Sequence, residues 1–226
     1  MDRKKWVVCT VLLLGFHIQT VNGSECNTCH EAKGVRENVP DISPIRMRVD
    51  GKENILTLAE AFRFHGHSCP GLTTTFRALQ YGIQLLYGDE IPDRNDLLIF
   101  SKTPTPGNLD LLDLIMLGEQ GKGKTVAPDV MKSSRENFHY ILYRKSNCTA
   151  VDIRLKPELY PADFFDYKKK QSAGSLTPEE WETLHGYMKH IILTFPTESF
   201  ETLFGAPKPY PMILWGLSPV PAHPVE

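Results

Sequence analysis

A chain of 226 residues, 41% hydrophobic and 10% aromatic, can bury a real core and suits one medium domain with appendages. Its formal charge of −2, without a dense basic patch, excludes an ordinary nucleic-acid-binding module.

Residues 1–23 read as a secretory signal. Arg3, Lys4 and Lys5 form a basic start, residues 6–16 an apolar run broken only by Thr10 and Gly15, and Val21 and Gly23 are small enough for a cleavage site. The run is short for a membrane span. Left uncleaved, it would act as an anchor and associate the protein with a membrane. Cleavage removes Asp2 and three basic residues and leaves the chain more acidic. The expected location is exported, periplasmic or extracellular.

Export changes how the cysteines read. Cys26, Cys29, Cys69 and Cys148 remain, an even number that permits a Cys26–Cys29 or Cys69–Cys148 disulfide. Cys26-Asn27-Thr28-Cys29-His30 is also the spacing of c-type haem attachment, with thioether bonds at Cys26 and Cys29 and His30 on the iron. Residues 24–44 are too few to build a haem pocket, so a haem would lie on the main domain or stay partly exposed. A disulfide, or a zinc knuckle completed from elsewhere, is the alternative. A distal haem ligand, His or Met, is left open. Residues 31–44, with Pro40, Pro44 and many charges, read as a linker.

Ile45, Met47 and Val49 alternate with Arg46 and Arg48, and Asp50-Gly51 ends this short strand. Thr57-Leu58-Ala59-Glu60 has the form of a capping box before a helix through Phe64. That helix leads into Phe64-His65-Gly66-His67-Ser68-Cys69-Pro70-Gly71, the densest run of ligand-type residues. Alternate residues of an extended segment share a side, so His65, His67 and Cys69 can aim at one point. Pro70 suits a first helical turn. Leu72, Phe76, Leu79, Ile83 and Leu86 then keep the spacing of a buried helix face. Cys69 falls at that helix's N-terminus, where the dipole favours its thiolate.

A metal or redox site is the sharper reading; a tight loop with one buried Cys and two solvated His is the plainer one. Two imidazoles and a thiolate suit Zn, Ni or Cu, with a fourth position open to water or substrate. Cys69 as a nucleophile with His65 or His67 as base is a weaker enzymatic reading, because the same spacing serves chelation.

The stretch Leu58-Ala59-Glu60-Ala61-Phe62-Arg63-Phe64-His65-Gly66-His67-Ser68-Cys69-Pro70-Gly71-Leu72 resembles the signature of the FmdE family, named for a component of formylmethanofuran dehydrogenase. In that family a His-Gly-His-x-Cys-Pro-Gly run enters a helix. The resemblance covers residues 56–157 and implies an α+β domain that binds a metal ion, often as a dimer. The family's second motif, Cys-x-x-Asp-Ala and then Gly-Cys-Thr-x-Gly-Lys-Gly, falls on Gly107-Asn108-Leu109-Asp110-Leu111 and on residues 117–123. The resemblance therefore implies His65, His67, Cys69 and Asp110 as metal residues. Gly107 and Gly118 stand where the family has cysteines, which leaves the fourth ligand unassigned.

Further along, residues 97–100 form a compact strand. Asn108 is expected to cap a helix carrying Leu109, Leu112, Ile115 and Met116, with Asp110 and Asp113 in its first turn. Residues 118–124 lack the spacing of a phosphate loop, which excludes a P-loop NTPase. They read as a solvated turn or as a flexible cover over the site, with Lys122 or Lys124 able to attract an anion. Residues 138–143 and 151–155 form a hairpin, with His139 a strand surface residue and Cys148 a turn thiol.

From Lys156 onward the chain looks like an addition to the core domain. Phe164, Phe165 and Tyr167 precede a solvated run, Lys168 to Lys170. Thr177-Pro178-Glu179-Glu180 starts a helix whose apolar face is Trp181, Leu184, Met188, Ile191, Ile192 and Phe195, with His185 and His190 at its edge or surface. A short helix ends at Gly205. The proline-rich segment 207–226 reads as an extended tail packed on the body or on a partner subunit.

The expected fold is α+β, a small twisted sheet with packed helices, plus a helical C-terminal addition and a proline-rich tail. The expected divisions are a signal over 1–23, a linker bearing Cys26 and Cys29 over 24–44, a metal-binding domain over 45–157 and the extension over 158–226. The leading function is an exported metal-binding protein in electron transfer, with c-type haem near the His65, His67 and Cys69 site. Its partner would be a redox protein or a small-molecule ligand, and it would form a homodimer. The alternatives are a non-redox metal-binding accessory or sensor with a Cys26–Cys29 disulfide, and a Cys-dependent enzyme.

Overall fold

The computed structural model describes residues 39–103, 105–116, 124–126 and 133–214. The expected signal over 1–23, the Cys26, Cys29 and His30 motif, residues 117–123 and the end of the tail lie outside the described residues. Strand β1 (Ile45–Val49) pairs antiparallel with β2 (Lys52–Leu56). Asp50 and Gly51 turn between them at φ 51° and 75°, the left-handed pair of a two-residue hairpin. Asp-Gly thus joins two strands rather than ending one.

Helix α1 (Leu58–His65) begins at the expected box: Thr57 accepts from the Glu60 amide, and Glu60 accepts from the Thr57 amide. Helix α2 (Pro70–Tyr87) follows after four residues. Next come β3 (Leu97–Ser101), α3 (Pro106–Ile115), β4 (Lys124–Val126), β5 (His139–Arg144) and β6 (Thr149–Arg154). Helices α4 (Phe164–Ser172), α5 (Pro178–Thr194) and α6 (Phe200–Phe204) close the chain, with the two-residue strand β7 (Tyr210–Pro211).

The main sheet has the order β4-β3-β5-β6-β7. The β3–β4 pair is parallel and the other neighbours are antiparallel. The architecture is α+β. Helix α2 lies across β5 and β6 and also packs on α1, α3, α5 and α6. It is therefore buried on nearly all sides rather than along one stripe. Phe164, Leu184, Ile191 and Leu203 belong to the same buried cluster as Leu72 and Leu142, so the helices after residue 157 share the core. Part of the C-terminal segment packs on the body, where Tyr210 and Pro211 pair with β6.

Three expectations are corrected. Asn108 does not cap α3; Thr105 occupies that position, and the buried Asn108 amide donates to the Thr103 carbonyl. His139 is 6% exposed and bonds Asp152, because the β5 residue faces a neighbouring strand rather than water. Cys69 and Cys148 are free thiols, so no disulfide links them.

A Cβ on Gly82 would come within 2.6 Å of Leu142 Cδ2, so α2 approaches β5 through this glycine. Gly82→Ala is expected to destabilise the protein by about 1–3 kcal/mol through overpacking. In denaturant unfolding, Gly82→Ala with Leu142→Ala should cost less than the sum of the single changes.

Candidate metal centre

The site is assembled from helix ends, not from an extended strand. His65 is the last residue of α1. Gly66 follows at φ 95° and ψ −20°, a left-handed cap that a side chain adopts only with strain. The chain thereby turns back within one residue, and Cys69 becomes the extended N-cap of α2. His65, His67 and Cys69 each offer a ligand atom, and these atoms lie within 4.8 Å of one another. The two imidazole rings are 4.2 Å apart between centroids.

Asp110 does not join those converging atoms. Its Oδ2 lies 2.6 Å from His65 Nδ1. The His65 side chain is 6% exposed and Asp110 41%, so the carboxylate reaches from solvent to a buried ring. This bond holds the Nδ1 proton and leaves Nε2 to face Cys69 or an ion. Asp110 belongs to α3 and His65 to α1, so the bond also ties the two helices together.

Burial works against the charged forms of both Cys69 and His65. Hydrogen bonds from His65 and His67, the His65 charge and the Leu72 amide outweigh it and hold the Cys69 thiol down at about 5. For His65, hydrogen bonds and charges at Cys69 and Asp110 likewise outweigh burial and lift it to about 9. The Cys69 thiolate is the donor a soft or borderline metal requires, and an ion bound beside it would displace the proton that His65 holds in the metal-free pair.

Gly107 lies against this thiolate. A Cβ there would sit 3.0 Å from Cys69 Sγ and 3.0 Å from Leu72 Cβ. Glycine lets α3 approach α2 this closely, and it offers no ligand atom from that position. Gly71 makes the matching approach, with a Cβ placed 2.8 Å from Thr105 Oγ1.

A cavity of about 700 Å³ opens beside the three residues. Gly71, Thr105 and Gly107 line one part, and Phe138, Tyr160, Phe164 and Phe165 another. Helix α5 adds Trp181, His185 and Met188, spaced so that they share one helix face. His190, in contrast, is exposed. The cavity wall was not legible in the sequence, where Trp181 and Met188 look like ordinary core positions. Cys26, Cys29 and His30, expected from the sequence to hold a haem, and Gly118 lie outside the described residues. No described helix is long and apolar enough to cross a membrane.

The family model described as FmdE, molybdenum formylmethanofuran dehydrogenase operon, matches residues 64–204. The chain belongs to the FmdE family. The match starts at the His65 loop and runs through α6, so the FmdE region includes the helices that wall the cavity. No curated protein matches the chain. The His65, His67 and Cys69 group fits a metal ion by donor type, by convergence and by the charge state of its thiol.

In metal-free protein, alkylation of Cys69 by iodoacetamide should rise through a midpoint near pH 5, because the thiolate is the reactive form. Peptide mass spectrometry reads Cys69 separately from Cys148. His65→Ala should move the midpoint up, and zinc should suppress the reaction.

Proposed function

We propose that this FmdE protein holds a Zn, Ni or Cu ion on His65, His67 and Cys69, with a coordination position left open to the cavity. The observation that carries this reading is the convergence of three ligand atoms within 4.8 Å beside the cavity. Three protein ligands from one loop leave room for water or an external ligand, unlike a closed four-ligand structural site. Asp110 orients His65 and fixes its tautomer. The ion would supply a Lewis-acid site. Cys69 is then a ligand rather than a nucleophile.

A second component is favoured by one feature of the sequence. Cys26-Asn27-Thr28-Cys29-His30 directly follows the expected export signal, which supports an exported protein with covalent c-type haem, working in electron transfer. Without haem, the same protein is an exported metal-binding accessory or sensor with a Cys26–Cys29 disulfide.

The test is elemental analysis, intact mass and an absorption spectrum of protein made in a host that matures c-type cytochromes. About one metal ion per chain, lost in Cys69→Ser, is the expected result; a metal-free protein that takes up none of the three metals overturns the reading. A reducible Soret band with one haem of added mass establishes the haem, and a two-hydrogen loss at Cys26 and Cys29 replaces it with the disulfide. Asp110→Asn is expected to weaken metal affinity by about 10–100-fold, read by competition with a chromophoric chelator.

A further inference from the structure

The walls of the cavity carry more chemistry than a metal site alone requires. One side is aromatic: Tyr160 lies 4.7 Å from Phe138 and 5.9 Å from Phe165 between ring centroids, and Trp181 faces the same space from α5. Such walls suit an apolar, ring-sized body, and about 700 Å³ suits a small molecule.

The end beside the metal residues is polar and poised for an anion. Ser68 is 2% exposed, lines the cavity, and its Oγ has no hydrogen-bond partner among the described residues. Thr105 Oγ1 is in the same state. A buried hydroxyl without a partner is costly, so an acceptor oxygen arriving there recovers what folding left unmade. The N-terminal turns of the eighteen-residue α2 and of α3 meet at this end, and their dipoles favour negative charge.

Lys168 and Lys169 also line the cavity, with Asp166 as the opposing charge. Lys168 is held in place by its bond to Gln171 Oε1 at 2.6 Å. With a divalent ion on the Cys69 thiolate, the positive charges outnumber the negative ones.

We infer that the cavity binds a carboxylic acid with a bulky apolar body, its carboxylate at the metal end beside Ser68 and its body against Tyr160, Phe165 and Trp181. This rests on the metal reading above, and it names the ligand class of that site. The carboxylate takes the hydroxyl donors and the open coordination position, and Lys168 and Lys169 raise the local concentration of anions.

The test uses full-length protein loaded with zinc, its metal content measured before any ligand is added. Naphthylacetate and its uncharged amide, naphthylacetamide, are then titrated by calorimetry. The acid is expected to bind at least about tenfold more tightly than the amide, since only it carries the charge. Phe165→Ala should weaken both probes. Lys168→Gln with Lys169→Gln, at a half-buried and an exposed position of α4, should weaken the acid by several-fold and leave the amide unchanged. Equal binding of acid and amide, or no binding of the acid by zinc-loaded protein, overturns the inference while leaving the metal reading standing. A chain that takes up no zinc at the first step removes both, and that failure is read before the ligand is added.

Discussion

The first turns of α2 must be buried between α3 and the sheet while their polar side chains stay satisfied. Thr73, Thr74 and Thr75 are fully buried there, and their own hydroxyls need acceptors. Their hydroxyls donate back to the carbonyls of Cys69, Pro70 and Gly71 at 2.8–2.9 Å. Such back-bonding is available to threonine inside a helix and spares each hydroxyl the cost of burial without a partner. Tyr160 and Tyr140 extend the network, with hydroxyls 3.0 Å from Thr74 and 2.8 Å from Thr75. Tyr140 belongs to β5, so the start of α2 is bolted to the sheet. Gly71 and Gly107 then let α3 close to contact distance. Cys69 owes its fixed position to all of these contacts.

Electrostatics follow from that placement. A thiol at the head of α2 gains from the dipole, but it is also desolvated, and burial alone would push it up. The imidazoles decide the balance. His65 closes α1, Cys69 opens α2 and Asp110 stands in α3, so one chain of carboxylate, imidazole and thiolate spans three helices. The charge arrangement that suits a metal also holds these helices in register when no metal is bound.

Local signals in the sequence were legible because local physics carries them. The Thr57 and Thr177 boxes, the Pro70 start and the apolar spacing of α2 depend on neighbours within a few residues, and the structure has them where the sequence places them. The His65, His67 and Cys69 cluster was legible for the same reason, though not its geometry: the convergence comes from the left-handed Gly66 and two helix ends. Strand β2 was missed although Asp50-Gly51 is a strong hairpin signal, because Lys52, Glu53 and Asn54 disguise it as a charged loop. Asn108 looked like a cap because its type favours caps. Its real role, bonding Thr103 inside the core, depends on how α3 sits against the loop that follows β3. The cavity was illegible because its wall joins residues of the His65 loop to α4 and α5, about a hundred positions later. No local pattern separates Trp181 or Phe165 as cavity wall from the same residues as core.

Everything proposed for the site depends on two imidazoles and one thiolate sharing an ion. X-ray absorption at the zinc edge of the zinc-loaded protein reads that coordination without an intermediary. One sulfur at about 2.3 Å and two imidazole nitrogens at about 2.0–2.1 Å are expected, with one further light atom from outside the loop. The sulfur should vanish in Cys69→Ser. A shell of nitrogen and oxygen alone, or a sulfur that survives Cys69→Ser, would contradict the shared-ion centre.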